Sequence, residues 1–281
     1  DTVGRLTDTW LKNSTNAILN RHSYSYTNNN LRIQQTFTDG NYANYTYDAI
    51  GQLKVASGKE SGGANRLQEQ LGYLYDAAGN LSRRTNNALI QTFNVNTKNE
   101  LSTITRTGTL TVVGGISASA TNVMVNKGST TNTATLYADE SFAAAGFSLT
   151  DGTNTFTAIA QDNLGRKDTN SVTVKLPATV TFAYDANGNL SSDGWRGFDY
   201  DDENQLVRVT VTNSWKSEFV YDGAGRRRVR KEYSWVSSAW VLTTETRYIY
   251  DGNLVIEERD GSNVPAVTYT RGLDLSGSLE G

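Results

Sequence analysis

The chain has 281 residues with no cysteine, a single histidine and a formal net charge of −3. Disulfides and thiolate metal sites are thereby excluded, and no basic field exists to displace phosphate counterions, so nucleic acid is not an expected partner. Hydrophobic residues make up 37%, no apolar run approaches the roughly 18 residues of a membrane helix, and 25 Gly, 15 Tyr and 2 Pro point to a turn-rich β-protein.

The first six residues, Asp1-Thr-Val-Gly-Arg-Leu6, are the second half of a pattern whose full form is aromatic-x-aromatic-Asp-x-x-Gly-x-Leu. The chain therefore reads as cut from a longer parent, with no leader at its start. Further copies follow at Tyr24, Tyr45, Tyr73 and Phe93. Each reads as a β-hairpin. Two aromatic residues at i and i+2 project from one strand face. The Asp folds its carboxylate onto amides two residues on, and the x-Gly pair supplies the positive φ of a tight reversal. Where Asn29-Asn30 and Glu203-Asn204 replace x-Gly, looser turns are expected. Residues 64–74 carry Leu67, Leu71 and Leu74 at spacings of four and three; they read as a connection entering the Tyr73 strand, with a short helical turn as the alternative.

The texture changes near Gly108. From residue 109 to 177 the aromatic-Asp-Gly unit is missing, and apolar residues alternate with polar ones at Leu110/Val112, Val123/Val125, Phe147/Leu149, Phe156/Ala158 and Val172/Val174. Gly114-Gly115, Asn126-Lys-Gly128, Asp151-Gly152 and Asn163-Leu-Gly165 punctuate these runs as turns. This is the pattern of a small β-sandwich inserted into the repeat. The unit then resumes at Phe182 (FAYDANGNL), Phe198 (FDYDDENQL), Phe219 (FVYDGAGRR) and Tyr248 (YIYDGNL). Units of this size cannot bury a face alone and must stack on their neighbours.

The units YTYDAIGQL, YLYDAAGNL, FAYDANGNL and FVYDGAGRR resemble the tyrosine-aspartate (YD) repeats of Rhs-type proteins, and Tyr269-Thr-Arg-Gly-Leu-Asp274 resembles the segment closing such arrays. The resemblance covers residues 1–107 and 179–281. It implies a long antiparallel β-ribbon that curves or spirals into a shell, as in toxin-associated polymorphic proteins, where the shell encloses a toxin or serves as a surface scaffold. The insert, residues 108–178, is similar to bacterial immunoglobulin-like modules attached to secreted carbohydrate-active enzymes.

His22 could join a Ser-His-Asp triad with Asp39 or Asp48, but no Gly-x-Ser-x-Gly elbow exists. Asp199, Asp201 and Glu203 alternate on one expected strand face beside Asp202. They could bind calcium, or act as paired carboxylates in glycoside cleavage, or remain solvated or salt-bridged charges. Asp185-Ala-Asn-Gly-Asn189 resembles the start of a calcium loop but carries Leu190 and Arg196 where glycine and glutamate are needed. Arg226, Arg228 and Arg230 are expected on one face, with Arg227 and Lys231 on the other. The run could meet an acidic glycan or pair across strands with Asp201–Glu203. The tyrosine ladders could pack on the sheet or stack on sugars. Trp195, Trp215, Trp235 and Trp240 are the candidates for an exposed stacking patch.

The resulting expectation is an all-β protein, a YD-repeat β-hairpin ribbon interrupted by an immunoglobulin-like β-sandwich. It would be a secreted or cell-surface bacterial scaffold without catalysis, partnered by other segments of its parent. No cofactor is implied, with calcium as the exception allowed by the acidic cluster. Polysaccharide binding by the insert or a tryptophan face is the first alternative, and polysaccharide cleavage the second. Open ribbon edges allow oligomers by edge pairing.

Overall fold

The computed structural model describes residues 1–117, 119–270 and Gly272, so the end of the Tyr269–Asp274 segment lies outside the described residues. The protein is all-β, and the described residues contain no helix. The first ribbon block contains β1 (Asp8–Lys12), β2 (Ile18–Tyr26), β3 (Arg32–Thr36), β4 (Tyr42–Tyr47), β5 (Leu53–Lys59), β6 (Asn65–Tyr75), β7 (Leu81–Asn86), β8 (Leu89–Val95) and β9 (Leu101–Gly115). The insert contributes β10 (Asn122–Lys127), β11 (Thr130–Thr133), β12 (Thr135–Leu136), β13 (Ser141–Ser148), β14 (Gly152–Gln161) and β15 (Lys167–Leu176). After β16 (Thr179–Thr181) come β17 (Ala183–Tyr184), β18 (Leu190–Ser192), β19 (Gly197–Tyr200), β20 (Leu206–Val211), β21 (Trp215–Tyr221), β22 (Arg227–Val236), β23 (Ala239–Asp251), β24 (Leu254–Asp260) and β25 (Pro265–Thr268). Residues 64–74, with their leucine spacing, lie in the extended strand β6 and its approach.

The repeat unit is a five-residue hairpin turn whose bonds are visible in the motif. At Asp185 the backbone N–H donates to Asn189 O (2.9 Å) and Gly188 N–H donates back to Asp185 O (3.2 Å). The carboxylate Oδ1 then accepts the N–H groups of Asn187 (2.9 Å) and Asn189 (2.8 Å). Asp48 repeats these bonds with Ile50 and Gln52, and Asp76 with Ala78 and Asn80. The fourth residue must be left-handed, which is why Gly51 (φ 88°) and Gly188 (φ 86°) stand there. Asparagine fills the position without loosening it: Asn30 (φ 63°) and Asn204 (φ 61°) keep both backbone bonds, at 3.1 and 3.0 Å for the return bond. The expected looser turns are therefore not found. The unit at Tyr248 departs differently, because Asp251 pairs with Leu254 across a two-residue loop.

The strand register slips by one residue just before these turns, between Thr46 and Tyr47, Leu74 and Tyr75, and Val220 and Tyr221. The second aromatic of the motif thus sits at a β-bulge. A bulge resets side-chain parity, and the consequences reach the candidate sites below.

The chain divides into compact units 1–179 and 180–281. In the first, one sheet runs β1 through β9 in sequence order and continues to β13 and β12, while β11-β10-β14-β15 form a second sheet. The insert closes as a sandwich of these sheets over Val123, Val125, Ala134, Phe142, Ala144, Phe147 and Phe156. Gly114 lies within β9, not in the expected turn. A Cβ there would come within 2.5 Å of the Phe142 ring, so only glycine admits that ring to the core. In the second unit β17 to β25 form one sheet in sequence order.

Candidate functional site

In an antiparallel sheet, opposed residues share a face. On one face of the sheet in residues 180–281, register sets Asp199 opposite Arg208, Arg208 opposite Glu218, Glu218 opposite Lys231 and Lys231 opposite Glu245. Charge alternates along this row across five strands. Arg208 Nε donates to Asp199 Oδ2 at 2.8 Å, and Lys231 Nζ lies 3.8 Å from Glu245 Oε2. Glu218 also accepts from Lys216 Nζ (2.6 Å) and the Tyr233 hydroxyl (3.0 Å). Burial pushes the Glu218 carboxyl up, but Lys216 and Tyr233 outweigh it and hold the group below its ordinary range. Such a carboxylate stays ionised and is a poor general acid.

The opposite face is the more buried one. It carries Val209, Val211, Ser217, Thr246 and Tyr248, all buried. The Ser217 hydroxyl donates to Glu232, and the Arg227 guanidinium lies over the rings of Tyr248 (4.9 Å) and Phe219 (5.6 Å).

This arrangement separates the four tryptophans. Trp235 faces Trp240 across β22 and β23 with ring centroids 4.8 Å apart, on the charged face beside Tyr233 and Lys216. Trp215 is opposite Ser234 and so belongs to the buried face. Trp195 lies in the turn between β18 and β19 and is 55% exposed. One four-tryptophan patch does not exist.

The arginine run is corrected in the same way. Arg226 lies in the turn, where its Nε donates to Asp222 Oδ2 at 2.9 Å. Arg228 lies 3.7 Å from the same oxygen. Past the bulge, Arg227 opposes Tyr221 and Arg230 opposes Phe219, so these two share the buried face. Arg230 is 3.2 Å from Glu232. The run is balanced by Asp222, Glu232 and Glu245, not by Asp201–Glu203.

Nor are the proposed metal ligands gathered. Asp199 is paired with Arg208, while Asp201 caps its turn by accepting the N–H groups of Glu203 (3.1 Å) and Gln205 (2.8 Å). Glu203 Oε2 takes a long bond from Gln205 Nε2 (3.4 Å). Among the described residues no group of three or more His, Asp or Glu side chains is placed to hold a metal. The His22 ring is edge-on to Phe37 (5.2 Å), with Nδ1 near Gln35 Nε2 (3.3 Å) and Tyr24 OH (3.5 Å). Asp48, offered as its orienter, caps a turn.

Two arrangements escaped the sequence. In five units the tyrosine before the turn Asp or its equivalent donates its hydroxyl to a carbonyl just past the turn of the preceding unit. Tyr26 reaches Leu6 O (2.7 Å), Tyr47 reaches Arg32 O (2.7 Å), Tyr75 reaches Leu53 O (3.0 Å), Tyr221 reaches Leu206 O (2.9 Å) and Tyr250 reaches Arg227 O (2.9 Å). Every acceptor lies five residues after the earlier turn's first residue. The constant offset was legible in principle, because the motif fixes both partners.

The second is Arg66, whose side chain is 4% exposed. Its guanidinium meets Glu60, Glu69 (2.8 Å) and Asp139 (2.7 Å), and stacks over Tyr137 at 4.5 Å. Hydrogen bonds and charge from these acids raise its pKa further despite burial, so it stays charged. No sequence signal joins Arg66 to a residue as distant as Asp139.

No known family model and no curated protein matches the chain. Among solved structures it is similar to the crystal structure of TcdB2-TccC3-Cdc42, at 15% identity and a TM-score of 0.35 over 93% of this chain. It is also similar to the Photorhabdus luminescens Tc holotoxin pore, at 12% identity and a TM-score of 0.32 over 90% of the chain. A third is a tetra-tandem repeat from the extending region of a large adhesion protein, at 15% identity and a TM-score of 0.19, covering 81% of this chain and 69% of that one. The chain spans 13% and 14% of the length of the first two.

Proposed function

We propose that the chain is a non-catalytic scaffold segment of a larger secreted or cell-surface YD-repeat protein, with neighbouring segments of that parent as its partners. The observation that carries this reading is the tyrosine hydroxyl that, in five of the units, ties the hairpin to the unit before it. The groups a hydrolase would need are committed elsewhere: Asp201 holds turn amides, Asp199 is salt-bridged, and the motif tyrosines donate to carbonyls. The test is incubation of the purified chain with a panel of polysaccharides, scoring new reducing ends. None is expected. Release that disappears in Asp201→Asn would replace the scaffold with an enzyme.

A second reading is favoured by one observation. Trp235, Trp240 and Tyr233 adjoin on the charged face with Lys216 Nζ 4.2 Å from the Tyr233 ring centroid. Aromatic faces beside a cation suit an acidic polysaccharide. Retention on such a polymer should be lost in Trp240→Ala and kept in Trp195→Ala. Equal retention of both variants removes the reading.

A further inference from the structure

We propose that the open side of the insert is a strand-acceptor site, taking an extended peptide that alternates small apolar residues with polar ones and carries acidic residues at its two ends. The observations come from residues 109–176 and are independent of the scaffold reading.

A cleft of about 710 Å³ lies between the end of β9 and β14-β15. Its apolar lining includes Leu110, Val112, Ile116, Phe156, Val172 and Val174. Within the four-stranded sheet Val172 opposes Phe156 and Val174 opposes Asn154, so these residues share the inward face. Coverage fails abruptly along it: Phe156 on β14 is 6% exposed, whereas Val172 on β15 is 56% exposed and Val174 37%. β15 is the last strand of its sheet, and all but Leu176 of its ten residues are exposed. The first sheet is incomplete at the same place. β8 pairs with β9 only as far as Gly108, while β13 takes the other side of Thr109–Gly115. Two rows of backbone donors and acceptors thus flank one apolar cleft. A lipid or small apolar ligand would fill the cleft and leave both rows unpaired; an added strand satisfies a row and covers the valines together.

Charge selects the occupant. Lys167 and Lys175 stand on the outward parity of β15, with Thr169, Ser171 and Thr173 between them, and neither has an ion-pair partner among the described residues. Edge lysines alone often serve only to deter pairing. That role does not explain inward valines left bare beside a cleft. Two β15 strands paired about Ser171 would set Lys167 against Lys175 at both ends, so the favoured partner carries acids at those positions.

The experiment uses the whole chain and a fluorescein-labelled nine-residue peptide, read by fluorescence anisotropy. Its first and ninth residues are glutamates, to oppose Lys175 and Lys167. Its second and fourth are valines, to oppose Val174 and Val172, and the rest are Thr and Asn. Saturable binding is expected. N-methylation of alternate peptide amides on the pairing edge should abolish it. The exposed double variant K167E/K175E should weaken binding about tenfold or more, equivalent to about 1.4 kcal/mol, and a lysine-ended peptide should restore it. An unchanged melting profile certifies that the variant folds. No binding at millimolar peptide, or equal binding of the N-methylated peptide, overturns the proposal. A dimer in sedimentation that dissociates in the variant also overturns it, by giving the edge to a second copy of the chain.

Discussion

The insert and the repeat ribbon solve the same problem by different means. In the insert, Val123, Val125, Ala144 and Phe147 are fully removed from solvent, and the rings of Phe147 and Phe156 meet edge-on at 5.8 Å. The ribbon has nothing so dry. Its buried residues in 180–281 include Ser217 and Thr246 beside Val209, Val211 and Tyr248. Between them run turn carboxylates, tyrosine-to-carbonyl bonds and rows of alternating charge. Apolar burial gives the insert a few positions of high cost. The ribbon spreads its stability over many bonds, each worth on the order of 1 kcal/mol net.

Mutation should make that contrast measurable. Phe147→Ala is expected to cost about 3–5 kcal/mol through lost burial and a residual cavity, read as a fall in denaturant midpoint. Arg66→Ala should cost about 3 kcal/mol, because Glu60, Glu69 and Asp139 lose their shared cation. It is the exception on the ribbon side, and a cost no larger than an exposed ion pair would remove it. Gly188→Val should cost about 1–2 kcal/mol, since a β-branched residue must adopt φ 86°. An unchanged melting temperature would contradict the turn. Tyr221→Phe keeps the ring and deletes the bond to Leu206 O, with an expected loss of about 1 kcal/mol. The double change Tyr221→Phe and Tyr47→Phe should be additive, because the bonds are separate.

The smallest effect concerns pH. The Asn189 side chain, joined by turn amides, holds the Asp185 carboxyl below its ordinary value, and Arg226 and turn amides do the same at Asp222. The folded pKa is depressed, so the stabilisation is present above the unfolded value of about 3.9 and is lost as pH falls through the lower folded value. Melting temperature should be level near neutrality and decline in acid. Asp185→Asn should change little at pH 7, because Asn96 already accepts the N–H groups of Lys98 (2.9 Å) and Glu100 (3.0 Å) in an equivalent turn. The variant's acid decline should be shallower than that of the parent chain.

The hairpins were legible because their chemistry is local: Asp, two spacer residues, Gly or Asn, and an acceptor four residues on. The sandwich strands were legible from alternation at Val123/Val125 and Phe156/Ala158. Which residues share a face was not. A period of two assumes an unbroken ladder, and the slip at Val220/Tyr221 moved Arg227 onto the face of Arg230. The slip between Asp199 and Tyr200, followed by the turn, likewise separated Asp199 from Asp201. Trp215 shows a different limit, since its face depends on pairing with Ser234 rather than on its own neighbours. Arg66 lay beyond reach because its site joins two distant stretches of chain, residues 60–69 and 137–139.

A strand that belongs to both the ribbon and the sandwich cannot swing as a linker does. β9 runs unbroken from Leu101 to Gly115, paired first with β8 and then with β13. Arg106 fastens the chain where the insert ends, its side chain donating to Pro177 O (2.9 Å) and Thr150 O (2.8 Å). Tension applied to the insert would therefore load β9 and its neighbouring ladders together, and yielding would require strands to shear apart before the module could pivot. Residues 1–179 should respond to a pull as one mechanical element, with the sandwich serving as a stiff outgrowth of the ribbon.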